Sequence, residues 1–132
     1  MSEKIVAKSE KGVKLKSHED LKVWQKSIKL VTDIYKLTRD FPKSELYGLT
    51  NQIRRSAVSI PSNIAEGSGR RSKKEYIQFL YVSLGSIAEL DAQLLIAKNL
   101  KFIKDANIRI DLLTIKKMLI GLIHSIERKD SK

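Results

Sequence analysis

The chain has no cysteine, which excludes disulfide frameworks and thiolate-bound zinc or iron–sulfur centres. Proline is scarce as well: Pro42 and Pro61 are the only two in 132 residues, so the backbone carries few obligatory breaks. One Trp, four Tyr and three Phe leave little material for a base-stacking surface. The longest unbroken apolar runs are four or five residues, far below a membrane span. The opening "MSEKIVAKSEKGVKLK" has no continuous apolar stretch of the kind a secretory signal needs. A cytoplasmic protein without membrane contact is the expectation. His18 and His124 stand alone, and there is no H-E-x-x-H, D-x-D or G-x-S-x-G. Glu75, Glu89 and Asp91 lack the Glu/His spacing of di-metal bundles. No enzyme activity, no cofactor and no metal site are expected.

Acidic residues are the minority, 15 against 26 Lys and Arg, for a net charge of +11. Residues 1–20 contribute a net +1 and residues 21–132 a net +10. The excess belongs to the folded body and not to a tail, and a basic body attracts polyanions, nucleic acid foremost.

The remaining pattern is helical throughout and predicts an all-α fold. One domain is expected over 17–132, preceded by a flexible extension at 1–16, with helices at about 18–40, 46–66, 72–98 and 105–128. Ser17 and Asp20 have capping-box spacing before Leu21, Trp24, Ile28, Val31 and Tyr35, which step by 3, 4, 3 and 4. Pro42 breaks the chain, and Ser44 reads as the next N-cap. Leu49, Ile53, Ala57, Ile60 and Ile64 line the second helix, and Ser72 with Glu75 forms a second capping box. The third helix carries Tyr76, Leu80, Ser83, Ile87, Leu90, Leu94 and Ala97, and the fourth, capped at Asp105, carries Ile108, Leu112, Ile115, Leu119, Leu122 and Ile126. Such heptad seams suit packing at about 20°, and short connections make neighbours antiparallel: an up-down-up-down four-helix bundle.

Apolar residues exceed what one such core needs. Ile77, Phe79, Tyr81, Val82, Leu84, Ala88 and Leu95 lie outside the third seam, and Ile110, Leu113, Met118, Ile120 and Ile123 outside the fourth. A helix apolar around most of its circumference is buried on more than one side, so a homo-oligomer is expected, with small Ser83, Gly85, Ser86, Ala88 and Ala92 allowing close approach. Pro61 should kink the second helix, with Ser59 and Ser62 satisfying the freed backbone groups. Glu66 and Glu89 read as partly buried partners of Arg54 or Arg55.

The stretch "EGSGRRSKKEY" (66–76) combines two glycines with four cations. A phosphate-binding Walker loop needs G-x-x-x-x-G-K-[ST] after a strand, and neither is present. Gly67 instead reads as a left-handed glycine ending one helix, and Ser72 as the cap of the next. Free amides at that helix start, beside Arg70, Arg71, Lys73 and Lys74, still suit an anion. With Arg54 and Arg55, and then Lys116 and Lys117, they are the candidate nucleic-acid contacts.

The segments "LKVWQKSIKLVTDIYKLTRDFP" and "LTNQIRRSAVSIPSNIAEGSGRRSKKEYIQFLYVSLGSIAELDAQLLIAKNL" resemble the 23S rRNA intervening-sequence protein family, also known as four-helix bundle proteins. The Trp24 helix, "SIPSNIAEG", "EYIQFL" and "GSIAEL" carry the resemblance, over about 17–103. It implies four antiparallel helices assembling into a homopentameric ring, of a kind first found as reading frames in inserts of bacterial 23S rRNA genes. The family is similar in turn to the basic pentameric accessory protein of diversity-generating retroelements, which binds nucleic acid and a reverse transcriptase. A non-enzymatic oligomer binding rRNA or DNA is therefore expected. The alternative is a scaffold docking an acidic protein or a reverse transcriptase.

Overall fold

A computed structural model describes residues 17–104 and 107–130. The extension read at 1–16 and the cap read at Asp105 lie outside the described residues. Four helices carry the fold: α1 (Lys22–Thr38), α2 (Asn51–Ser68), α3 (Lys73–Asn99) and α4 (Ile108–Asp130). No strand occurs among the described residues. α1 packs on α2 and α4, α2 on α3, and α3 on α4. One core results, with Leu30, Ile34, Ile53, Ile60, Ile64, Leu80, Leu90, Leu94, Leu112, Ile115 and Leu119 almost fully buried. Each such side chain stabilises the fold by about 1.5–3 kcal/mol.

The apolar seams of α2, α3 and α4 fall in the core where the spacing puts them, joined by Ile123, which the spacing places outside the fourth seam and the structure buries, while α1 is rotated. Val23, Ser27, Leu30, Ile34 and Thr38 face inward, and Ile28 and Tyr35 are 40% and 43% exposed. Two hydroxyls explain the difference. Ser27 Oγ donates to the Trp24 carbonyl at 2.7 Å and Thr38 Oγ1 to the Ile34 carbonyl at 2.8 Å. Satisfied within their own helix, both enter the core at little cost.

Helix ends depart from expectation in three places. A 3₁₀ turn (His18–Asp20) precedes α1, and Ser17 Oγ accepts from the Glu19 amide at 3.2 Å, so the first capping box does not form on α1. A π-helical turn (Leu46–Thr50) precedes α2, and the cap there is Glu45, whose side chain accepts from the Leu49 amide, not Ser44. The break in helical backbone falls in this turn at Gly48 (φ −113°, ψ −112°), whereas α2 runs on through Pro61 to Ser68. Around Pro61 the polar groups bond across to α3 and within α2 itself. Ser83 Oγ donates to the Ile60 carbonyl at 2.9 Å, Ser59 Oγ lies 2.7 Å from Ser86 Oγ, and Asn63 Nδ2 donates to the Ser59 carbonyl at 2.8 Å. The side-chain bonds around Pro61 thus come from Ser59, Asn63, Ser83 and Ser86.

Gly67 does not end α2 in a left-handed conformation; it lies inside the helix, and Gly69 (φ −90°) is the cap. Its smallness serves packing. A Cβ there would stand 2.7 Å from Phe79 Cβ and 3.0 Å from Tyr76 Cδ1, so only glycine lets α2 approach the start of α3 so closely. Ser72 caps α3 as read, accepting from the Glu75 amide at 3.0 Å. By length and composition α3 is also the one described helix apolar enough to cross a membrane. Its inward residues Leu80, Ser83, Ser86, Ile87, Leu90, Leu94 and Ala97 belong to the core.

Candidate nucleic-acid interface

The eight candidate cations fall into three groups. Arg54 and Arg55 lie in the first turns of α2, while Arg70, Arg71, Lys73 and Lys74 surround the α2–α3 turn. Fourteen residues of helix, a rise of roughly 21 Å, separate Arg54 from the end of α2 at Ser68, beyond which Arg70 lies. Lys116 and Lys117 are on α4, so no single contiguous patch gathers all eight.

At the turn, Arg70 is tied down: it pairs with Glu66 one helical turn earlier, and its guanidinium stacks 4.8 Å from the Phe79 ring centre. Glu66 is thereby accounted for locally and is exposed, as is Glu89; neither is the buried partner of Arg54 or Arg55 that the sequence suggested. Arg71, Lys73 and Lys74 remain exposed around the capped start of α3. Arg71 and Lys74 make no ion pair among the described residues. Burial pushes the phenol of nearby Tyr76 up, so this ring adds no negative charge to the turn.

Arg54 is held differently. Its Nε donates to Thr38 Oγ1 at 2.9 Å and its guanidinium lies 4.5 Å from the Tyr35 ring centre. α1 therefore fixes an arginine of α2, and Arg55 beside it is exposed. Neither has an ion-pair partner among the described residues.

Lys116 lines a groove of ≈ 530 Å³ between α3 and α4, walled by Leu84, Ala88, Leu112 and Leu113. Across that groove Arg109 clasps Asp91 with both ends of its fork, at 2.7 and 3.1 Å. The guanidinium holds the Asp91 carboxyl below its ordinary 3.8, with a smaller push from Lys116. Arg109 is not singled out by the sequence, and Tyr35 is read there only as part of the apolar face of the first helix. Their partners lie 18 and 19 residues away in the chain, and no short-range spacing signals such a contact. Among the described residues no group of three or more His, Asp or Glu is placed to hold a metal.

The family model of the 23S rRNA-intervening sequence protein matches residues 19–121. The chain belongs to this family. Among solved structures it is similar to a protein of unknown function from the S23 ribosomal protein family of Bacteroides thetaiotaomicron, at 27% identity and a TM-score of 0.69. That match covers 76% of this chain and 97% of the other. No curated protein matches.

Proposed function

We propose that this chain is a non-enzymatic, cytoplasmic nucleic-acid-binding protein that acts as a homo-oligomer and contacts RNA or DNA through phosphates. The observation that carries the reading is the set of unpaired cations. Arg54, Arg55, Arg71, Lys74 and Lys117 make no ion pair among the described residues, on a body whose net charge is +10 over 21–132. Unpaired surface cations release counterions from a phosphate backbone, which gives affinity with little dependence on base sequence. The family to which the chain belongs is named for inserts in 23S rRNA, which makes rRNA the first ligand to try.

Assembly follows from the outer surface of α3 and α4. Tyr81, Val82, Leu95 and Ile96 on α3 and Leu100 just after it, with Ile110 and Leu113 on α4, are 41–64% exposed. Apolar surface on that scale marks an interaction face. The arrangement proposed is an up-down-up-down bundle, supported by the end of α2 at Gly67 meeting Phe79 and by Ser59 meeting Ser86. Five copies in a ring is the assembly the resemblance implies. A second reading has support in the apolar groove beside Lys116: a scaffold that docks an acidic protein, a reverse transcriptase included.

Fluorescence anisotropy with rRNA fragments and generic duplexes over a salt series separates the two. For phosphate contacts to about four cations, log affinity should fall against log salt with a slope near −3 to −4. Charge reversal of Arg71, Lys73 and Lys74 should weaken every sequence alike. Absence of binding at low salt would sink the nucleic-acid reading and leave the scaffold.

A further inference from the structure

Asn51, Arg54, Arg55 and Val58 are spaced i, i+3, i+4 and i+7 on α2 and so share one face. With Tyr35 of α1 and Ser59 they line a cleft of ≈ 450 Å³, within the roughly 300–1,000 Å³ of small-ligand sites. No carboxylate lines it. We infer that this cleft binds a nucleotide phosphate, with Arg54 and Arg55 on the phosphate and the attached base lying against Tyr35 and Val58.

Arg54 supplies the main argument. Its Nε is spent on Thr38 Oγ1, and stacking on Tyr35 fixes the plane of the guanidinium. The terminal nitrogens then form a pre-set fork, the geometry that matches phosphate oxygens. An arginine already immobilised loses little further freedom when an anion arrives. Arg55, one residue on and exposed, adds a second charge from the same helix. Tyr35 is 43% exposed and Val58 39% exposed, which gives the base an apolar surface. The hydroxyl of Ser59 is already bonded to Ser86 and belongs to the wall. Exposed Asn51 stands at the rim with an amide able both to donate to and accept from a base edge.

This site deepens the nucleic-acid reading above and rests on it for one of two sources of the nucleotide, an unpaired position in a single strand. The other source is a free mononucleotide. The test uses a fluorescein-labelled single-stranded oligonucleotide, a duplex of the same sequence and uridine monophosphate, with the full chain. Tyr35→Leu should weaken single-strand binding roughly tenfold while duplex affinity holds, and Arg55→Ala, at an exposed position, should weaken single-strand binding by a larger factor than it weakens duplex binding. Arg54→Lys, which keeps the charge and loses the fork, should weaken it too, with thermal melting showing that the fold persists. If all three variants bind single strands as wild type does, while charge reversal at Arg71, Lys73 and Lys74 abolishes binding, the cleft proposal is overturned and the nucleic-acid reading stands. If wild type takes uridine monophosphate, in an Arg55-dependent way, but no polymer even at low salt, the cleft stands with the free nucleotide as its ligand. Binding of neither overturns both.

Discussion

Lys101 holds a left-handed backbone (φ 65°) where the chain leaves α3. The Lys101 amide bonds to the Lys98 carbonyl and the Phe102 amide to the Ala97 carbonyl, both at 2.9 Å. That is the hydrogen-bond pair of a Schellman stop, whose left-handed position glycine normally fills. A Cβ in that conformation costs on the order of 1–2 kcal/mol, partly offset by the entropy glycine loses on folding. Lys101→Gly should therefore raise stability by about 0.5–1 kcal/mol, read as a higher denaturation midpoint. Gly67 presents the opposite case. Alanine gains about 1 kcal/mol of helix propensity, but its methyl would meet Phe79 Cβ at 2.7 Å. Overpacking of that kind costs about 1–3 kcal/mol, and a backbone-anchored Cβ cannot swing aside. Gly67→Ala should lower the midpoint in urea, and an unchanged or higher midpoint would refute the close-approach argument.

Among the helices, three of the four core faces were readable because their apolar residues recur at steps of three and four, and the one serine read into a seam, Ser83, stands between flanking apolar positions. α1 was not, because Ser27 and Thr38 stand in its core face and hydropathy alone places them outside. The candidate cations were equally visible as residue types, yet their roles depend on what lies across from them. Glu66 and Arg70 are four apart on one helix, a spacing open to local reading. The Arg54 contacts with Thr38 and Tyr35 come only from the packing of α1 on α2. The clasp of Asp91 by Arg109, which joins α3 to α4, has a pH signature. The folded carboxyl titrates below its ordinary 3.8. Its stabilisation is therefore present above that value and is lost as pH falls through the folded pKa. Both side chains are partly exposed, at 35% and 43%, so solvent screening keeps the contribution small. Wild type should exceed Asp91→Asn in stability near neutrality, and the two should converge once the pH has fallen through the lowered pKa of the folded carboxyl. A gap that persists in acid would show that the asparagine acts through packing.

For the whole molecule, α3 matters most, because it supplies core on one side and exposed Tyr81, Val82 and Ile96 on the other. Light scattering should return a multiple of the 15.0 kDa chain mass, and Val82→Glu with Ile96→Lys should reduce it towards a single chain while helicity persists. A wild-type mass of 15.0 kDa would contradict the assembly. The hydroxyls that join α2 to α3 also bear on this surface. Apolar seams that repeat every seven residues tolerate a slip of one heptad, since leucine replaces isoleucine with little penalty. Ser83 does not, for a slip takes its buried hydroxyl away from the Ile60 carbonyl at 2.9 Å, and it also breaks the 2.7 Å bond between Ser59 and Ser86, which keep partners only within their own helices. A buried polar group left unmet costs about 1–3 kcal/mol. The serines around Pro61 therefore act as a register pin, holding the outer stripe of α3 at one height along the bundle. Copies can match faces only if every copy sets that height alike.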